Sequence, residues 1–192
     1  MEIVDFAIIQ DINIKEKLKV SPFIHPTNSC YWFGWNIYNE ENYNRIFEFK
    51  NRDESKPFFI TVPDIWTIES IWIYDSRIEE FISTYPNTIF TFILERHPNL
   101  PSYINPGIPT VWVQIARWPL RDLYQYIDFP VFWTSANISW QTPLYSSKGI
   151  IDTFGAYDNI VFLDGWNLEK RSPSTIIDLT WQEHKIIRGQ LV

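Results

Sequence analysis

Apolar and polar positions along the chain fall into short runs broken by polar or proline-bearing segments, and two periods alternate. Runs rich in Ile, Val and Phe predict strands at residues 6–9, 23–25, 58–62, 89–94, 110–115, 131–133, 160–163, 174–179 and 185–188. Helical spacing fills the intervals. Its clearest instance runs from Asn39 to Phe49: Asn39 is a good N-cap, Glu40 and Glu41 suit the positive end of the helix dipole, and Tyr43, Ile46 and Phe47 share one face. Residues 77–85 and 120–127 carry a less complete form of the pattern, and the proline-bearing segments 98–109 and 141–149 read as surface loops. Such alternation predicts an α/β (α+β) fold rather than a sandwich or a bundle. No repeat, low-complexity tract or linker divides the chain, so the reading is one domain over 1–192.

Composition narrows the function. A 45% hydrophobic content over 192 residues is enough for a core. The net charge of -7 and a pI near 4.9 exclude a broad basic face for nucleic acid, while a local basic pocket stays compatible. A single cysteine, Cys30, allows no internal disulfide and no Cys-based zinc site. The first twenty residues lack the basic start and long apolar middle of a signal peptide. No stretch reaches the roughly 18 apolar residues of a membrane span. The expectation is a cytoplasmic protein with no membrane partner.

Glycine-rich phosphate loops, dinucleotide fingerprints and paired zinc histidines are absent, and His25, His97 and His184 are scattered as packing or surface residues. Asn137-Ile138-Ser139 has the glycosylation pattern, which is meaningless in a cytoplasmic chain. Three segments carry candidate chemistry. Lys50-Asn51-Arg52-Asp53-Glu54-Ser55-Lys56-Pro57 places three cations between the best helix and a strand. They suit a phosphate, or Lys50 and Arg52 simply complement the helix C-terminus with Lys56 solvated. Thr134-Ser135-Ala136-Asn137 sets two hydroxyls and a carboxamide after an apolar run, and Ser172-Pro173-Ser174-Thr175 repeats hydroxyls at a strand entrance.

Together with His25-Pro26-Thr27-Asn28-Ser29-Cys30-Tyr31-Trp32-Phe33-Gly34, these segments resemble the YrdC-like family of threonylcarbamoyl-AMP synthases. The first looks like that family's PT-x-T-x-YGLG entry, and Lys50-x-Arg52 like its K-x-R motif. Thr134 to Ser139 matches TSANxSG, Pro173 to Thr180 matches PSTIVDLT, and Arg188 falls where a late arginine closes the site. The resemblance implies a twisted mixed parallel and antiparallel sheet around a deep cavity, where L-threonine, bicarbonate and ATP become L-threonylcarbamoyl-adenylate and pyrophosphate. That product feeds threonylcarbamoylation of adenosine 37 in tRNA through a downstream transferase complex; a weak RNA contact of the chain's own is a further expectation. It also implies that Lys50, Arg52, Lys56, Thr110, Ser135, Asn137 and Arg188 serve ATP, with Lys50 and Arg52 catalytic. Thr27, Gln114 and Ser174 would hold threonine, and Tyr31 would shape the pocket wall. Mg²⁺ would arrive with ATP, with no resident metal. A carbamate is already an anionic nucleophile, so the site needs charge neutralisation and alignment rather than a Ser-His pair.

Departures from the family pattern point elsewhere. Gln114 stands where an arginine is expected to grip the threonine carboxylate, which loses charge assistance unless Arg117 supplies it. The family's PGPxT segment is worn down to Pro86-Asn87-Thr88-Ile89-Phe90-Thr91. Tryptophan occupies family glycine positions at Trp32, Trp140 and Trp166, and in a looser match at Trp112 and Trp181. The chain holds 6 glycines and 10 tryptophans, whereas average usage gives roughly 13 glycines. This substitution pattern predicts UGA codons that the organism reads as glycine and that are rendered here as tryptophan. The competing expectation is a YrdC-like nucleotide- or RNA-binding protein that has lost synthase activity.

Overall fold

The computed structural model describes residues 1–9, 12–53, 56–65, 67, 71–117 and 119–192. Its strands are β1 (Glu2–Asp5), β2 (Phe23–Pro26), β3 (Tyr31–Asn36), β4 (Phe59–Val62), β5 (Phe90–Glu95), β6 (Thr110–Ile115), β7 (Val131–Ser135), β8 (Val161–Asp164), β9 (Thr175–Asp178) and β10 (Lys185–Arg188). Its helices are α1 (Ile12–Val20), α2 (Glu40–Lys50), α3 (Arg77–Thr84), α4 (Leu120–Leu123) and α5 (Ser147–Phe154). All ten strands join one mixed sheet, in the order β1-β8-β2-β3-β7-β4-β6-β5-β9-β10.

Alternation along each strand divides the apolar side chains between two faces. On one face α2, α3 and α5 bury Tyr43, Ile46, Phe49, Ile78, Phe81, Ile150 and Phe154 against Phe33, Trp35, Ile60 and Phe132. The other face is covered by α1 and α4 only at one end, where Ile14, Leu18, Leu120 and Leu123 meet Phe23, Val131, Trp133 and Val161. Beyond that end the same face continues across β4, β6 and β5. Phe59 pairs with Trp133, Gln114 with Thr61, and Gln114 is in hydrogen-bonding reach of Thr91. No helix among the described residues covers this stretch of sheet, which is the floor on which a site can form.

Local chemistry explains where the elements start and stop. The Asn39 side chain accepts from the backbone N–H of Asn42 at 2.9 Å, and Asn51 closes α2 at φ 48. Four expectations change. Residues 6–9 are not a strand: the Asp5 carboxylate accepts from Ala7 N–H and turns Phe6–Ile8 into a 3-10 turn, with the strand lying one step earlier. β3 was not predicted, because its run of Tyr, Trp and Phe is buried almost throughout and carries no alternation to read. Within it Gly34 is obligatory, since a Cβ there would come within 2.7 Å of the Phe23 and Trp133 rings. The end of the 141–149 loop begins α5, with Ser146 capping Gly149 N–H, and only the first turn of residues 120–127 is α-helical. Among the described residues no helix is long and apolar enough to cross a membrane.

Candidate functional site

A cavity of about 410 Å³ opens over the helix-free floor. The floor supplies Phe59, Thr91 and Gln114; β7 supplies Thr134 and Ser135; the β2–β3 turn supplies Asn28, Ser29 and Cys30, and Trp32 follows on β3. Arg52 enters from the turn after α2, Arg188 from β10, and Lys170, Arg171 and Ser174 from the segment joining β8 to β9. Four cations therefore meet in one cavity of a chain whose net charge is -7, and no Asp or Glu lines it among the described residues. Such a site is built for anions.

Two of those cations are fixed by the protein. Arg52 donates from Nη2 to the Pro57 carbonyl at 2.9 Å and lies over the Phe58 ring at 4.7 Å, while its buried Nε has no partner. Burial pulls its pKa down. Arg188 donates from Nε and Nη2 to the Ser174 carbonyl at 3.2 and 3.1 Å, and from Nη2 to Ser174 Oγ at 3.3 Å. Ser174 Oγ in turn lies 2.8 Å from Thr91 Oγ1, which approaches Gln114 Oε1 at 3.5 Å. The Gln114 side-chain N–H₂ has no protein partner among the described residues, so it is a free donor on the cavity wall.

Five of the eleven residues singled out from the sequence line this cavity: Arg52, Gln114, Ser135, Ser174 and Arg188. The others are placed differently. Lys50 is 1% exposed and points behind the wall, donating from Nζ to the Ser135 carbonyl, to the Asn137 carbonyl at 2.8 Å and to Asn137 Oδ1 at 2.9 Å. Burial lowers its pKa from 10.5 to about 7, with Arg52 adding to the fall and Cys30 opposing it. Asn137 is buried with it, and its Nδ2 donates to the Ile138 and Gln141 carbonyls at 3.0 and 2.7 Å. Lys50 and Asn137 thus brace Ser135 from behind. Thr27 is also structural: its Oγ1 donates to the Cys30 carbonyl at 2.7 Å and accepts from Ser29 N–H at 3.1 Å, folding the turn that presents Asn28 and Ser29.

Tyr31 belongs to the core rather than the wall, with its hydroxyl donating to the Trp166 carbonyl at 2.8 Å. Thr110 opens β6 opposite Glu95, away from the cavity lining. Lys56 sits 3.4 Å over the Trp140 ring. Glu54 and Ser55 of the basic stretch lie outside the described residues. Arg117 does not compensate for Gln114 at the wall; it donates to the Pro86 carbonyl at 2.5 Å and lines a neighbouring groove. Sequence reasoning missed Thr91, Lys170 and Arg171. The adjacent basic pair just before Ser172-Pro173-Ser174 was the available signal.

The tryptophans at the family glycine positions divide. Trp140 holds φ 71, a left-handed conformation natural to glycine, and is 87% exposed. The other four have no positive φ. Trp32 lies on the cavity wall directly across the β3–β7 ladder from Ser135. Trp112 packs on Phe59, Trp166 on Phe6, and Trp181 lies beneath Lys185.

The fold and site define a class: an α/β protein whose open sheet face forms an anion-binding cavity with no carboxylate in its lining among the described residues. The chain belongs to the Sua5/YciO/YrdC family, whose model, described as telomere recombination, matches residues 21–189. A threonylcarbamoyl-AMP synthase of Pseudoalteromonas atlantica is 29% identical over 160 residues, 80% of this chain and 83% of that protein. In fold the chain is similar to the P. abyssi Sua5 complexed with L-threonine (TM-score 0.83, 24% identity, 98% of this chain) and to E. coli YciO (TM-score 0.78, 20% identity, 97% of this chain and 92% of that chain). It spans 57% of that Sua5 chain.

Proposed function

We propose that the protein is a nucleotidyltransferase that makes L-threonylcarbamoyl-adenylate from L-threonine, bicarbonate and ATP, releasing pyrophosphate. The carrying observation is the cavity that, among the described residues, is lined by four cations and no carboxylate, in an acidic chain of this family. The name of the Pseudoalteromonas relative supports the reading.

The chemistry suits the residues. Threonine's free amine condenses with bicarbonate, losing water, to give a carbamate, whose oxygen attacks the α-phosphorus as the bond to the β-phosphate oxygen breaks. No side-chain base is required for that step. Arg52 and Arg188, held in place by Pro57, Phe58 and Ser174, supply fixed positive charge where the phosphates carry negative charge. Ser135 Oγ, the Gln114 N–H₂ and the Thr91–Ser174 hydroxyl pair orient the nucleotide and the amino acid. Among the described residues no group of three His, Cys, Asp or Glu is placed to hold a metal ion, and Mg²⁺ enters this scheme on the triphosphate. The adenylate is a reactive mixed anhydride and goes on to a tRNA threonylcarbamoyl transferase complex in the cytoplasm.

A second reading, nucleotide or RNA binding without synthesis, is favoured by one feature: the Trp32 indole takes up cavity wall beside Ser135, and Gln114 is uncharged. Pyrophosphate release measured with and without threonine and bicarbonate separates the two. Release that requires both supports the synthase; nucleotide binding with no release, or release indifferent to threonine, rejects it.

A further inference from the structure

The segment between β8 and β9 has an unusual task. β8 is second in the sheet and β9 ninth, so residues 165–174 must cross seven strand spacings. At 4.8 Å each that is about 34 Å, and ten residues reach at most about 36 Å when fully extended. The strap therefore takes a direct course, and its residues 170–174 line the cavity. It is tied at both ends. The Leu168 N–H donates to the Tyr145 carbonyl at 2.7 Å, and Thr175 N–H to the Ile89 carbonyl at 2.8 Å. Between these ties, among the described residues, no hydrogen bond holds the backbone of residues 169–173, all exposed.

Two cations ride on that untied span. Lys170 and Arg171 both line the cavity. Unlike Arg52 and Arg188, they are not held: Lys170 has no partner among the described residues, and Arg171 has only the exposed Glu169 carboxylate at 3.8 Å. An exposed pair of that kind is worth little and yields readily to a stronger anion. The cavity thus has two immobile cations and two that can follow a ligand.

Resting on the synthase reading above, we propose that Lys170 and Arg171 grip the β- and γ-phosphates of ATP and release the pyrophosphate once it has formed. When the carbamate oxygen bonds to the α-phosphorus, the electron pair of the breaking bond goes to the β-phosphate oxygen. The new charge therefore appears on the leaving group, and cations placed there stabilise it most. A grip that is too rigid would retain pyrophosphate. Cations on an untied strap let it go, while Arg52 and Arg188 keep the geometry for the next cycle. Threonine makes no such demand, because its single carboxylate can be met by the Gln114 N–H₂ and the neighbouring hydroxyls.

The test is the double variant Lys170→Ala/Arg171→Ala, with Lys170→Arg/Arg171→Lys as the charge-conserving control. Calorimetric binding of inorganic pyrophosphate to the protein alone should weaken at least tenfold in the alanine variant and stay within threefold in the control. The KM for ATP should rise about tenfold with the KM for threonine unchanged. Unaltered pyrophosphate binding would overturn the proposal, as would a rise in the threonine KM alone, or a loss of tRNA binding with the ATP parameters intact. The pyrophosphate arm needs no turnover, so it reads the strap even if the wild-type protein fails to make the adenylate.

Discussion

Acid should unfold this protein through one imidazole. His25 lies on β2, fully buried, its ring edge-on to Phe6 at 5.0 Å and to Trp133 at 6.0 Å, with neither ring nitrogen hydrogen-bonded. Burial drives its pKa from 6.5 down to about 3, with the Pro26 backbone opposing the fall. A depressed pKa for a base means that the unfolded chain binds the proton first. Stability from this group is therefore complete above pH 6.5, falls as the pH drops below that, and reaches its full loss below about pH 3. Between pH 7 and pH 5 the unfolded imidazole takes up most of one proton and the folded one almost none. At about 1.4 kcal/mol per pH unit this gives a loss of about 2 kcal/mol. Lys50 adds slightly to this: with a folded pKa of about 7 it is half charged at pH 7 and takes up about half a proton by pH 5, while the unfolded lysine is charged throughout, a further loss of roughly 0.4 kcal/mol that the wild type and a His25 variant share. Urea unfolding at pH 7 and pH 5, run on the wild type and on His25→Leu, isolates the effect: the wild type should lose about 2 kcal/mol more than the variant. Parallel pH dependence in the two proteins, or an imidazole titrating in the folded state above pH 5, would refute the reasoning.

Arg52→Ala should cost about 10²–10³ in turnover while leaving stability within about 1 kcal/mol, as expected for a lost phosphate contact; near-normal turnover in a steady-state assay rejects that role. Lys50→Met should behave differently, losing about 3 kcal/mol in urea unfolding because the Ser135 and Asn137 carbonyls lose Nζ while Asn137 Oδ1 falls back on the Ser135 hydroxyl at 2.6 Å. A fully stable but inactive Lys50→Met would instead make Lys50 a direct substrate contact. Gln114→Arg should lower the KM for threonine about tenfold by adding a charged donor where a neutral one stands, and an unchanged KM would remove position 114 from the carboxylate site. Reading the gene checks the tryptophans: UGA is expected at 32, 140 and 166, and UGG at those codons ends the recoding idea. In the polypeptide as written, Trp32→Gly should tighten ATP binding about tenfold, or roughly 1.4 kcal/mol, by clearing the wall beside Ser135.

What the linear sequence determined is local or nearly so. The period of apolar residues gave most strands, and the side-chain chemistry of Asn39 gave the start of α2, because both depend on neighbours a few positions away. The motifs carried Arg52, Ser135, Ser174 and Arg188 to one site, since residue types in order suffice to recognise a family. Tertiary structure decided what each group faces. Lys50 and Arg52 stand two residues apart, yet one turns behind β7 and the other into the cavity, because α2 ends between them at Asn51 with φ 48 and the chain changes direction there. β3 escaped the pattern because a strand buried on both faces has no alternation, and only its neighbours β2 and β7 define it. Nothing local to Lys170 and Arg171 ties them to the site; the strand order does, by placing β8 and β9 seven spacings apart. That long-range pairing is what carries the strap to the site.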